Sequence, residues 1–305
     1  MTHPDLLTAQ TAAPADWVVA ALYQFRTVAE PEALQQCLTG LATALGLCGT
    51  LIVAPEGING TVAGGRDAID QLRDFLHHEG FHQLEYKESQ ARQQPFKKLK
   101  IKLKAEIVTL GVPVSPREHV GHYLEPEDWN TLLRDPEVLV IDTRNDYEVQ
   151  AGTFQNAIDP RTRTFREFPA WATQHLDPQQ HPKIAMFCTG GIRCEKSTSY
   201  LLQQGFQEVY HLKGGILNYL EKIPAADSLW QGECFVFDER VSVGHGVQAG
   251  PGLRCEACGW PLQAADLQHP HHEEGVSCVH CHDQTSTEQK AGFRLRMQQR
   301  RQSSR

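Results

Sequence analysis

The sequence predicts an α/β chain in three parts: an N-terminal α+β domain, a central domain built on a parallel sheet, and a small C-terminal region closed by paired cysteines. Three observations carry this prediction. Residues 17–88 run in the order strand, helix, strand, strand, helix, strand, and residues 138–222 alternate strand and helix singly. Four of the nine cysteines stand as two Cys-x-x-Cys pairs with nineteen residues between them. At 305 residues the chain also exceeds the usual size of one core, so several domains are expected.

After a leader rich in Thr, Ala and Pro, with the composition of a disordered segment, Trp17–Phe25 is apolar on both faces and reads as a buried strand. Pro31 opens a helix in which Leu34, Cys37, Leu38, Leu41 and Leu45 recur at helical spacing, and Gly46 ends it. Strand 49–54 passes through Pro-Glu-Gly-Ile-Asn-Gly into a short strand near 61–63. An amphipathic helix over 66–77 follows, then a fourth strand over 82–88. This is the split order of ferredoxin-like, acylphosphatase-like folds and assigns residues 1–110 to one domain.

Within that domain Leu99, Ile101 and Leu103 alternate with Lys98, Lys100, Lys102 and Lys104, so a strand there has one apolar face and one face of four ammonium groups. Two readings stand: a solvated edge strand that lysine keeps from aggregating, or a face that contacts RNA. Residues 111–125 lack periodicity and read as an ordered linker. Pro126 starts a short helix with Trp129 and Leu132. Strands over 138–142, 183–187 and 208–211, each followed by a helix, then imply a parallel sheet covered on both faces across 126–225.

The net charge is −8, yet residues 95–104 hold five lysines and residues 289–305 six Lys or Arg, neither with an acid. Positive charge is thus segregated, which suits an anionic partner on an otherwise acidic protein. No apolar run approaches the roughly 20 residues that cross a bilayer, and the N-terminus has no export signal, so a soluble cytoplasmic protein is expected. In that compartment an odd number of cysteines fits thiol and metal chemistry better than a disulfide framework.

Strand 183–187 ends at Cys188, and the loop Thr189, Gly190, Gly191, Ile192 leads to Arg193 and a helix predicted over 194–204. Reactive groups of open α/β sheets lie beyond the carboxyl ends of strands, which is where this places the sulfur. Loop amides, the helix N-terminus and Arg193 all favour an anion, so Cys188 is expected to ionise readily and act as a nucleophile. Cys194 reads either as a resolving thiol for Cys188 or as a small residue packed at the helix start. Asp142 and Arg144 are read as ions bracing the loop.

These residues resemble a rhodanese domain. Val140-Ile141-Asp142-Thr143-Arg144 with Glu148 and Gly152, the Cys-x-x-Gly-x-Arg loop 188–193, and Glu208-Val-Tyr-His-Leu-Lys-Gly-Gly215 are each similar to the family's motifs, with Thr153 where many members carry His. Four residues between Cys and Arg, rather than five, disfavour a cysteine phosphatase. Together with Ala54-Pro-Glu-Gly-Ile-Asn-Gly-Thr61, the longer loop 187–197 and Phe235-Val-Phe-Asp-Glu-Arg-Val241, the chain resembles the tRNA uridine-34 hydroxylase family. The resemblance implies oxygen-dependent formation of 5-hydroxyuridine at the wobble position in the anticodon stem-loop of tRNA, with O2 as co-substrate and Cys188 essential. No flavin, haem or nicotinamide motif and no facial His-His-carboxylate pattern is seen. Sulfur transfer through a Cys188 persulfide is the alternative.

Cys255, Cys258, Cys278 and Cys281 have the spacing of two zinc knuckles closing one structural site, within a zinc-binding region over 226–284. Nearby His269, His271, His272, His280 and His282 read mostly as solvated, with one able to replace a cysteine as ligand. The glycines of 243–250 read as a hairpin turn, since their spacing is wrong for a nucleotide loop. Residues 285–305 are too polar to fold alone and read as a disordered basic tail, contact with tRNA phosphates being the other reading.

Overall fold

A computed structural model describes residues 17–303, and the leader expected to be disordered lies outside the described residues. The chain forms two compact units that divide between Ile107 and Val108.

The first unit runs β1 (Trp17–Phe25), α1 (Pro31–Ala44), β2 (Cys48–Ala54), β3 (Gly57–Gly64), α2 (Arg66–His78), β4 (Glu85–Ala91) and β5 (Leu99–Leu103). Its sheet has the order β4-β1-β3-β2-β5. β3 lies antiparallel between β1 and β2, so the β1-α1-β2 crossover is split by an inserted strand, as the sequence order requires. Both helices bury the predicted stripes, Leu34 and Leu38 on α1 and Ile69, Leu72 and Leu76 on α2, against Val18, Leu22, Leu51 and Ile58 of the sheet. Cys37, counted on that stripe, is exposed instead. β3 starts earlier than expected because its turn is only Pro55–Glu56. β4 starts later because Phe81 N still bonds back to Leu76 O.

The lysine strand is a sheet edge. β5 pairs in parallel with β2 alone among the described strands. Leu99 and Ile101 pack on the core, while Lys98, Lys100, Lys102 and Lys104 are exposed.

The second unit runs β6 (His122–Leu124), α3 (Pro126–Leu133), β7 (Val138–Asp142), α4 (Asp146–Val149), β8 (Gly152–Phe154), α5 (Phe168–His175), β9 (Lys183–Phe187), α6 (Ile192–Gln203), β10 (Glu208–Leu212) and α7 (Gly215–Lys222). β6, β10, β9 and β7 form one parallel sheet in that order. The stretch read as a linker is therefore partly structural. Val108, Leu110, Val112 and Val114 pack on the core of this unit, and β6 is its edge strand, too short to show a period of two. Beneath the sheet's carboxyl edge, Phe154 meets Phe187, Tyr219 and Trp230 edge-on at 4.9, 4.7 and 5.1 Å.

A boundary at 225 also disappears. β11 (Trp230–Gly232) pairs with β8, and Trp230, Cys234, Val236 and Val243 join the core around Phe187, Cys234 through β12 (Cys234–Phe235) and Val243 through β13 (Ser242–Val243). The cysteine-rich region proper begins with the hairpin β14 (Leu253–Arg254) and β15 (Pro261–Leu262), followed by α8 (Ala264–Leu267). The tail read as disordered is instead helix α9 (Thr287–Ser303). Its arginines dock on acids that the sequence does not link to them, with Arg294 bridging to Glu273 and Arg300 to Glu256.

Candidate active site

Cys188 leaves the carboxyl end of β9 and is 1% exposed. α6 begins at Ile192, two residues before the predicted start, so Arg193 and Cys194 lie in its first turn. Gly191, at φ 98°, turns the loop so that its amide donates to Cys188 Sγ at 3.1 Å. The loop carbonyls face the other way. Ile216 N and Leu217 N, in the first turn of α7, donate to Cys188 O and Thr189 O at 3.0 and 3.1 Å. Gly215 lets α7 approach so closely, because a Cβ there would stand 2.5 Å from Cys188 O and 2.6 Å from Thr189 O.

Arg193 is held by a residue whose role the sequence did not disclose. Glu148, fully buried on α4, accepts two parallel bonds from the guanidinium at 2.7 Å each, and also bonds Thr189 Oγ1 at 3.3 Å. At the start of that short helix the Asn145 amide donates to Glu148 Oε2 at 3.2 Å. Behind it, buried Arg144 pairs with Asp142 at 2.7 Å, donates to Glu148 O at 3.2 Å and to Gly152 O, and lies over the Trp230 ring. The expected bracing is thus two-tiered: Asp142 and Arg144 fix α4, and α4 fixes Arg193.

Burial raises the Cys188 pKa, but the Cys194 thiol, the Arg193 charge and the amides of Cys194 and Arg193 outweigh it, bringing the value down to about 6. Cys194 moves the opposite way. Its own burial and the neighbouring Cys188 thiolate hold it protonated, and Thr143 Oγ1 lies 3.7 Å from its sulfur. The arrangement is a thiolate with a fixed S–H donor beside it. Glu148 stays ionised despite its burial because Arg193 and Arg144 face it.

In the C-terminal region the four cysteine sulfurs converge within 4.8 Å of one another. Cys255–Cys281, Cys258–Cys278 and Cys278–Cys281 are separated by 3.9, 3.7 and 3.8 Å. A disulfide needs about 2.0 Å, whereas four thiolates around a tetrahedral ion with bonds of about 2.3 Å stand about 3.8 Å apart, so these residues fit such an ion. None of the five nearby histidines belongs to this set. His271, His282 and Asp283 gather separately, and His280 stacks on Trp260 at 4.5 Å. The region docks on the active-site scaffold, since Trp260 Nε1 and Gln263 Nε2 donate to Gln150 Oε1 and Gln150 O at 3.1 and 3.2 Å.

A parallel-sheet unit with a Cys-x-x-Gly-x-Arg loop wound between a strand end and a helix start is a rhodanese-type domain. Residues 125–222 match the description rhodanese-like domain, and residues 17–107 match the UPF0176 acylphosphatase like domain. The proteins named tRNA uridine(34) hydroxylase from Acinetobacter baylyi and Deinococcus radiodurans are 61% and 64% identical to this chain. Those matches cover 98% and 93% of this chain and 95% of each relative. A namesake from Picosynechococcus is 53% identical over 94% of this chain and 97% of its own. The chain belongs to the tRNA uridine(34) hydroxylase family.

Proposed function

We infer that this chain hydroxylates uridine at wobble position 34 of tRNA, with Cys188 as its nucleophile. The observation that carries the assignment of Cys188 is its stabilised thiolate at the sheet's carboxyl edge, gripped by the Gly191 amide and faced by Arg193. Addition of Cys188 Sγ to C6 of the uracil ring would push the C5–C6 electron pair toward the C4 carbonyl and leave C5 an enolate carbon able to meet O2. One oxygen atom remains on C5 and the other leaves as water, with two electrons and two protons supplied by two external thiols that end as a disulfide. Loss of the C5 proton and departure of the thiolate restore the ring.

The chain's own groups have separable parts in this scheme. Arg193 keeps Cys188 ionised, Glu148 aims Arg193, and Cys194 donates to the thiolate rather than competing with it as a second nucleophile. The base must leave its stack to reach a sulfur this deep, as in other enzymes that act on base atoms. Zinc is the ion we assign to Cys255, Cys258, Cys278 and Cys281, since four thiolates leave it no open position and make it structural. Lys98, Lys100, Lys102 and Lys104 are proposed to attract the anticodon stem-loop through its phosphates, in keeping with their exposure. Sulfur transfer through a Cys188 persulfide is not favoured by relatives named as hydroxylases.

Mass spectrometry of tRNA nucleosides tests the reading. Cells that carry only Cys188→Ser should lack 5-hydroxyuridine while the variant protein melts as the parent does. Modification at the parental level in those cells would sink it.

A further inference from the structure

The segment between β8 and α5 runs beside β7, the neighbour of β9 in the sheet, and on past the carboxyl end of β7. Ile158 bridges Ile141 in parallel, Ile158 O accepts from Asp142 N at 3.0 Å, and Thr162 O accepts from Asp146 N at 2.9 Å. Asp142 is the register partner of Phe187, the residue before Cys188, and Asp146 opens the helix that carries Glu148. The segment is therefore fastened to both supports of the catalytic loop. Thr162 and Phe165 anchor it by burial, leaving Arg161, Arg163 and Arg166 exposed.

These three guanidinium groups have no ion pair among the described residues, whereas many other cations of this unit do. Lys183, Lys213, Lys222, Arg240 and Arg254 are each paired with a carboxylate, as are Arg294 and Arg300 of α9. The tail, basic in sequence, has thus spent much of its charge internally. Arg161 also holds a left-handed backbone, φ 55°, fixed by a 2.7 Å bond from its amide to Asp159 Oδ1. Such a conformation in a long L side chain is uncommon and tends to mark sites where the fold must aim a residue. Arginine suits phosphate better than lysine does, because its planar fork can bond two oxygens at once.

We propose that Arg161, Arg163 and Arg166 grip RNA phosphates near the Cys188 loop and hold the anticodon loop while its uridine enters. This rests on the tRNA-hydroxylase reading and adds the contact that places the substrate. A nucleotide whose base reaches Cys188 must carry its backbone over the carboxyl edge of the sheet, and this segment passes that edge at the end of β7. The grip recognises the sugar-phosphate chain and is indifferent to base identity, so it sets affinity and position and leaves the choice of uridine to the groups around Cys188.

The test uses the full-length protein and a fluorescent anticodon stem-loop RNA, with anisotropy followed as salt is raised. Replacing all three arginines by Gln should weaken binding at least about tenfold at about 0.1 M salt and reduce the log–log salt slope by about 2, the value for three phosphate contacts on a single strand. Replacement by Lys should keep most of the slope, because a point charge still neutralises phosphate. Melting at the parental temperature shows that the Gln variant is folded. Parental affinity and slope in that variant, while the parent protein hydroxylates tRNA in the same preparation, would overturn the arginine grip alone. A parent that makes no 5-hydroxyuridine would overturn the hydroxylase reading and the grip with it.

Discussion

At the scale of single residues, the proposed chemistry rests on one ionisation. Alkylation of Cys188 by iodoacetamide should follow a pH curve with its midpoint near 6, far below that of an ordinary thiol. Because the folded value is lowered, ionisation of Cys188 favours the fold fully only above the unfolded thiol's pKa. That contribution is lost as the pH falls through about 6. Cys194→Ala removes a donor and should move the alkylation midpoint upward, whereas Cys194→Ser, which can still donate, should move it less. Equal shifts would mean that Cys194 matters only through packing. Both cysteines were visible in the sequence, but their roles diverged only when burial and the Thr143 contact were known.

Elements act here by pressing on one another. Gly215→Ala would force a Cβ against the carbonyls of Cys188 and Thr189 in a left-handed backbone, at a cost of about 1–3 kcal/mol for the conformation alone. Calorimetry should show a lowered melting temperature, and nucleoside analysis a loss of 5-hydroxyuridine. Glu148→Gln breaks a buried bidentate pair and should destabilise the second unit by about 3–5 kcal/mol in denaturant titration. The strand and helix order of both sheets was legible because alternating apolar patterns recur at periods of two and 3.6. β6 and α9 were not legible. A three-residue strand has no measurable period, and α9 gains its order from ion pairs to distant acids such as Glu273 and Glu256.

For the molecule as a whole, a metal held by the cysteine cluster would couple to the proposed active-site scaffold. Purified protein should hold one zinc per chain by elemental analysis. Stripping it with a chelator should lower the melting temperature and slow Cys188 alkylation, because Trp260 and Gln263 would release Gln150 beside α4. An unchanged alkylation rate after full metal loss would separate the two sites. No helix among the described residues is long and apolar enough to cross a membrane. By itself the sequence determined the two sheets, the position of Cys188 at a strand end and the two cysteine pairs, since local periodicity and short spacings encode these. Only the tertiary structure decided that Glu148 holds Arg193, that α7 turns the loop carbonyls away from the sulfur, and that the tail's arginines are largely occupied while Arg161, Arg163 and Arg166 stand unpaired. Those are contacts across 20 to 45 residues or more, chosen by packing, and no local pattern records them.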